Sequence, residues 1–336
     1  MGSQQPVGKA GCHRFPSLTR KPVRLRPWSQ SFRMDAVGEG KILVGTCSWA
    51  DRTLVKETDW YPKRSMSAEE RLAYYSARFP ITEADSTYYF PPSPQLTKAW
   101  SERTPSTFTM NVKAYSLLTG HPAKPNSLWP DLRQTVNPEF AGRRNVYLSH
   151  LPPDAAGEVW KRFGYALRPL ADAGKLGAVL MQYPAWFTAK KDNRAEVAAI
   201  RERWDDLPVC VEFRSPSWLA TAEDRDRTLG MLRDLRLALV VVDAPPASGL
   251  PAVDEVTTAD LAVVRFHGRN DDTWAKQTQT AAERFKYLYS EPQLRSWVPR
   301  LRSLAERAER VHALMNNCYQ DYGVRNAADL AGLLDG

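Results

Sequence analysis

The chain lacks most features that assign a protein to a class at once. Its 336 residues include only four cysteines and five histidines. Cys12, Cys47, Cys210 and Cys318 form no CxxC pair, which argues against a zinc knuckle or a disulfide scaffold. No apolar run approaches the roughly 20 residues of a membrane helix, and the longest, at 237–243, is strand-length. There is no HxH, no HExxH and no GxSxG, so the local signatures of zinc hydrolases and serine hydrolases are missing. No glycine-rich phosphate turn follows the first apolar run, which reads GTCSW. Long disorder is excluded by 43% hydrophobic and 25% charged residues.

Acidic charge is also in deficit, giving a net +8, but the excess is uneven. Residues 1–40 carry Lys9, Arg14, Arg20, Lys21, Arg24, Arg26 and Arg33 against Asp35 and Glu39. The rest is close to balanced. A basic chain normally suggests nucleic acid or a membrane surface. Here the basicity mostly describes a leader with no apolar h-region, hence no secretory signal. Two readings stay open: a disordered leader, weakly like a transit peptide, or a start set too far upstream of Met34. Three cysteines within apolar runs read as free buried thiols. With no export signal, the expected compartment is the cytoplasm.

What the sequence does have is a repeated unit. Eight short apolar runs occur at 42–49, 81–89, 108–115, 176–184, 208–214, 237–244, 261–269 and 311–319. Most are nearly continuous, as strands buried on both faces should be. Helical stretches are predicted at 67–79, 94–103, 155–173, 190–204, 222–234, 291–310 and 323–334. The spacing predicts an α/β fold, a single (β/α)₈ TIM-type barrel over 41–336 behind the leader 1–40. A doubly wound open sheet is the alternative. Long loops at 116–154, rich in proline, and at 245–260 are expected to carry binding function.

In such a barrel the site lies at the carboxyl ends of the strands. The polar residues there are Ser48, Asp85, Lys113, Gln182, Glu212, Arg214, Asp243, Arg265, His267, Arg269, Asn316 and Asn317. The two-residue period puts Cys210, Glu212 and Arg214 on one face, Arg265, His267 and Arg269 on another, and aligns Glu83 with Asp85 and Thr87. It also puts Cys47 with Gly45 and Trp49, away from Ser48. Charges alternating with large apolar residues belong inside the barrel mouth. A salt-bridged structural network, Glu212 with Arg214 or Arg265, is the plain alternative. Lys113, Arg214, Arg265 and Arg269 form the candidate anion set, with Ser48, Gln182, Trp218, Asn317 and Tyr319 as further ligand contacts. Asp85, Glu212, Asp243 and His267 are the candidate acids and bases. No cofactor is required, although Glu212, Asp243, His267 and Asp85 could hold a divalent ion. Aromatic residues crowd the same end: Trp49, Trp60, Tyr61, Tyr88, Tyr89, Trp218, Trp274 and Tyr319 could stack on rings or simply pack loops.

The strand-end phrases resemble the domain-of-unknown-function-72 family, also called YecE-like. They include GTCSWADRTLV, WYPKRSMSAEERLAYYSARFPITEADSTYYFPPS, TPSTFTMNVKAYSLLTGHP and KLGAVLMQYPAWF. VEFRSPSW, VVDAP, VRFHGRN, YLYSEPQL and MNNCYQDYGVRNA continue the match in order, over 42–334. The resemblance implies a TIM-type barrel with its site at the strand ends, but no reaction or substrate. It places weight on Glu212, Arg214, Trp218, Asp243, Arg265, His267, Gly268, Arg269, Asn317 and Tyr319. This chain departs from the pattern at Ser215, where histidine is common, and at Asp85, where asparagine is common. Three function classes remain. One is a hydrolase or lyase of a phosphorylated or nucleic-acid-related substrate. The second is a non-catalytic nucleic-acid-binding module, and the third is a carbohydrate-active or metal-dependent enzyme. The expected partner is an anionic small molecule or nucleic acid, with no membrane.

Overall fold

A computed structural model of the chain describes residues 41–274, 283 and 285–336. The predicted leader, with Cys12, lies outside the described residues. The eight apolar runs become β1 (Lys41–Thr46), β2 (Ile81–Ala84), β3 (Thr109–Lys113), β4 (Leu176–Tyr183), β5 (Val209–Phe213), β6 (Ala238–Asp243), β7 (Leu261–Phe266) and β8 (Arg310–Met315). Each pairs in parallel with its neighbours in chain order, and β8 pairs back on β1, so the sheet closes. This is the predicted TIM-type barrel.

Closure explains the two apolar layers. A smaller cluster inside the barrel contains Leu43, Cys47, Ile81, Leu180, Cys210, Val240, Val263 and Leu314. A larger one between sheet and helices contains Val44, Val112, Val179, Val211, Val264 and Ala313. Alternate residues of one strand thus serve different layers. Gly45 is needed where β1 meets β2, because a Cβ there would lie 2.0 Å from the Ile81 carbonyl oxygen.

The helices start where local chemistry allows. Ser67 caps Ala68–Ser76 in a capping box with Glu70, as its spacing predicts. Pro94–Glu102 and Pro153–Asp172 both begin on proline, where the missing N–H costs nothing. The stretch 291–310 forms two helices, Glu291–Arg295 and Val298–Ala305, rather than one. Between β6 and β7 no helix forms among the described residues. Only the short turn Pro246–Ser248 appears, and an extended segment follows it. Thr257 Oγ1 in that segment accepts from Leu239 N at 2.8 Å and donates to Leu237 O at 2.7 Å, tying the segment to β6. No helix among the described residues is long and apolar enough to cross a membrane.

Candidate functional site

The carboxyl ends of β2, β5 and β7 meet around one guanidinium. Arg265 Nη2 donates to Glu83 Oε1 at 2.7 Å and Nη1 donates to Glu212 Oε2 at 2.5 Å. All three side chains are fully buried. Glu212 also accepts from Gln182 Nε2 at 3.0 Å and pairs with Arg214. Burial alone would raise the Glu212 carboxyl, but Arg214, Arg265 and His267 overcome this and hold it well below the usual range. Glu212 therefore carries a fixed negative charge.

His267 completes the network. Its Nε2 lies 3.1 Å from Glu212 Oε1, and its Nδ1 lies 2.7 Å from Asn316 Nδ2. Burial first, then Arg214, lowers its pKa to about 3. A neutral ring with Nε2–H donating to Glu212 and Nδ1 accepting from Asn316 serves these two contacts, while Arg214 Nη2, 3.2 Å from Nε2, would compete for the same nitrogen as a donor. At neutral pH His267 is thus a hydrogen-bonded anchor without charge.

Across the mouth, on the side of β3, the arrangement is looser. Lys113 Nζ lies 4.6 Å from the centroid of Tyr88. Among the described residues its ammonium makes no hydrogen bond and has no carboxylate in ion-pair range. Its pKa is lowered by burial and then by Arg265, partly offset by Glu83, Glu212 and Asp85. Asp85 is pushed up to about 6, mainly by burial, with Glu83 and Asp51 adding to the rise and Lys113 opposing it. His121, in the long loop after β3, lowers to about 4 through burial, then through Lys113 and Arg214. Its Nδ1 contacts Thr119 Oγ1 at 2.9 Å, and its ring meets Tyr88 edge-on at 5.4 Å. Lys113 and His121 thus both border the Tyr88 ring. Tyr89, edge-on to Tyr88, and Trp186, against Gly120, are 60% and 61% exposed, and Phe90 next in sequence is 57% exposed. Trp186 covers the left-handed turn at Gly120, just before His121. Arg214 is flanked by Trp274, 5.1 Å from its guanidinium carbon.

Several expected site residues lie elsewhere. Asp243 points out of the barrel, where it accepts from Arg269 Nε and Nη2 at 2.8 and 2.7 Å and from Trp297 Nε1 at 2.6 Å. Arg269 leaves the face of Arg265 and His267 because Gly268 turns the chain with φ of 84°. Arg265 is held between its two carboxylates, so it does not offer a free anion contact. Asp85 stands just past the end of β2, before the turn Ser86–Tyr88, and stays in the mouth, where Lys113, Glu83 and Asp51 act on its carboxyl. Trp218 is buried outside the barrel, stacked on Phe213 and donating to Phe187 O. Asn317 is buried and donates to Tyr287 O and Asn326 Oδ1. Tyr319 packs on Tyr322.

Ser48 adopts a φ of 142°, an uncommon backbone for serine, and its Oγ accepts from Ala50 N at 3.2 Å. That turn ends the alternation of β1, so Cys47 faces inward beside Arg265 while Trp49 joins the outer layer. Trp60 and Tyr61 pack there too. With Asp243 turned away, no three Asp, Glu, His or Cys side chains among the described residues converge as a metal would require. Sequence reasoning missed His121 and Trp186, which lie in loops outside the strand-end count. The signal was the position of their phrases, PAWF directly after β4 and GHP after the short turn Ser116–Thr119 that follows β3.

The fold agrees with solved relatives. Residues 43–336 match the family described as "Protein of unknown function DUF72". The chain is 28% identical over 299 residues to UPF0759 protein YunF of Bacillus subtilis strain 168, covering 88% of this chain and 95% of that one. A crystal structure of a DUF72 family protein from Enterococcus faecalis V583 superposes with a TM-score of 0.70 at 25% identity, over 88% of this chain and 96% of that chain. A DUF72 family protein from Thermotoga maritima MSB8 gives 0.68 at 27% identity, over 88% and 100%. The match runs from β1 to the last helix, and the chain belongs to the DUF72 family.

Proposed function

We propose that the barrel mouth binds a phosphate-bearing ligand with a flat ring, a nucleotide or a nucleic-acid end. One observation carries this reading. Lys113 and His121 both stand against the Tyr88 ring, Arg214 acts with Lys113 on His121, and the Lys113 ammonium has no carboxylate in ion-pair range among the described residues. A phosphate there would be held by Lys113 and Arg214 and would accept a hydrogen bond from the neutral His121 ring. Tyr89, Phe90 and Trp186 offer exposed ring faces for a base. Asp85, with its carboxyl near pH 6, supplies a group able to give or take a proton beside the ligand. This suits acid–base chemistry of the hydrolase or lyase kind. The free thiols of Cys47, Cys210 and Cys318 suit a reducing compartment such as the cytoplasm.

Calorimetric titration tests the reading with adenosine 5′-monophosphate, adenosine and inorganic phosphate. The nucleotide should bind more tightly than either fragment. Lys113→Met should weaken it by at least about tenfold, the scale of one lost charge-assisted contact. Trp186→Ala should weaken the nucleotide but leave phosphate unchanged. Equal affinity of wild type and Lys113→Met for all three would rule the reading out.

A further inference from the structure

The mouth holds one amine in an unusual setting. Lysines at strand ends normally find a carboxylate, because an ammonium loses much hydration there. Lys113 has the face of Tyr88 and, among the described residues, neither a hydrogen bond nor an ion pair at Nζ. The carboxylates that could have neutralised it are engaged elsewhere. Glu212 is taken by Arg265, Arg214, His267 and Gln182, and one oxygen of Glu83 by Arg265. Arg265 adds like charge from the floor of the mouth. The nearby acid, Asp85, lies on the turn after β2. Its backbone packs on β3 through Thr87 Oγ1, which donates to Lys113 O at 2.5 Å.

We propose that Lys113 is a nucleophilic amine that forms an imine with a phosphorylated aldehyde or ketone, with Asp85 as the proton donor. This deepens the reading above and rests on it, since the phosphate would lie against Arg214 and His121. The balance is simple. The neutral amine attacks the carbonyl carbon, forming a C–N bond, and one nitrogen proton passes to the oxygen, giving a carbinolamine. The carboxyl proton of Asp85 then moves to that hydroxyl, which leaves as water while the nitrogen lone pair forms C=N. The result is an iminium facing an ionised Asp85. No metal or redox partner takes part in these steps. The lowered Lys113 pKa and the Asp85 carboxyl raised to about 6 favour the two protonation states that the reaction needs. Like charge from Arg265 and burial act on the lysine, and burial with Glu83 and Asp51 acts on the acid.

The test is reductive trapping of the full chain with dihydroxyacetone phosphate and cyanoborohydride, the latter supplying hydride to C=N. Peptide mass mapping locates the adduct, and inorganic phosphate binding is measured in parallel. The expected result is one adduct on Lys113, formed at least tenfold faster than with unphosphorylated dihydroxyacetone and slowed by inorganic phosphate. Asp85→Asn should slow labelling at least tenfold and remove its dependence on pH near 6. Lys113→Arg, which keeps the positive charge but has no primary amine, should abolish the adduct. Phosphate binding without selective labelling of Lys113 would overturn the imine and leave the anion site standing. Absence of both would overturn the two readings together.

Discussion

Arg265 is held by Glu83 and Glu212 at the centre of the mouth, and this arrangement has an energetic consequence. A buried cation between two carboxylates is weak evidence of net stabilisation, but removing it strands two charges. Arg265→Met should cost about 3–5 kcal/mol in urea unfolding. A loss below about 1 kcal/mol would mean that the two carboxyls protonate freely and that the network is not rigid. The histidines give a second prediction. His267 and His312 are both lowered from 6.5 to about 3, each chiefly by burial, with Arg214 next for His267 and Arg310 for His312. Below pH 6.5 the unfolded chain takes up protons that the folded chain refuses. Their contribution is thus complete above that pH and falls by about 1.4 kcal/mol per unit per histidine on the way to pH 3. Asp85 acts in the opposite sense, because its raised carboxyl stabilises the fold as pH drops through about 6. The readout is therefore a difference between proteins. His312→Leu should remove one histidine's share of the slope between pH 6.5 and 4.5. An unchanged slope would show that the imidazole is charged in the folded state.

The elements differ in how openly the sequence declares them. All eight strands were readable because a closed parallel sheet buries both faces, leaving near-continuous runs such as ALVVVD in β6. The same continuity hid the orientation of Asp243. With every preceding residue apolar, the two-residue period gives no sign of which face the aspartate takes. In β5 and β7 the charges alternate with Val211, Phe213, Val264 and Phe266, so Glu212, Arg214, Arg265 and His267 were assigned inward from pattern alone. Arg269 was misplaced because the period was carried past the end of β7, where a left-handed glycine intervenes. His121 was invisible because its position depends on how the loop after β3 folds back, a tertiary matter. The tight contact of β1 with β2 gives the element-scale prediction. Gly45→Ala should destabilise the barrel by about 2 kcal/mol or more, since the methyl meets backbone rather than a movable side chain. A loss under about 0.5 kcal/mol in thermal unfolding would contradict this register.

On the scale of the whole molecule, barrel closure depends on its last elements. β8 pairs six residues with β1, and the final helix, Tyr322–Asp335, lays Val324, Ala327, Leu330 and Ala331 into the outer layer. Ending the chain at Asp321 should expose that layer and yield a dye-binding, uncooperative species. A cooperative transition at the wild-type temperature would refute the account of closure. The net charge of +8 belongs mostly to residues 1–40 and does not define the mouth. The mouth is defined locally, by Lys113, His121 and Arg214 set against the hydrogen-bonded ring of Glu83, Arg265, Glu212 and His267. The most direct measurement is an anomalous difference map from crystals soaked in tungstate, a tetrahedral oxyanion. The account predicts a peak within hydrogen-bond reach of Lys113 Nζ and Arg214, beside His121. A map with tungstate on surface arginines and none in the mouth would contradict it.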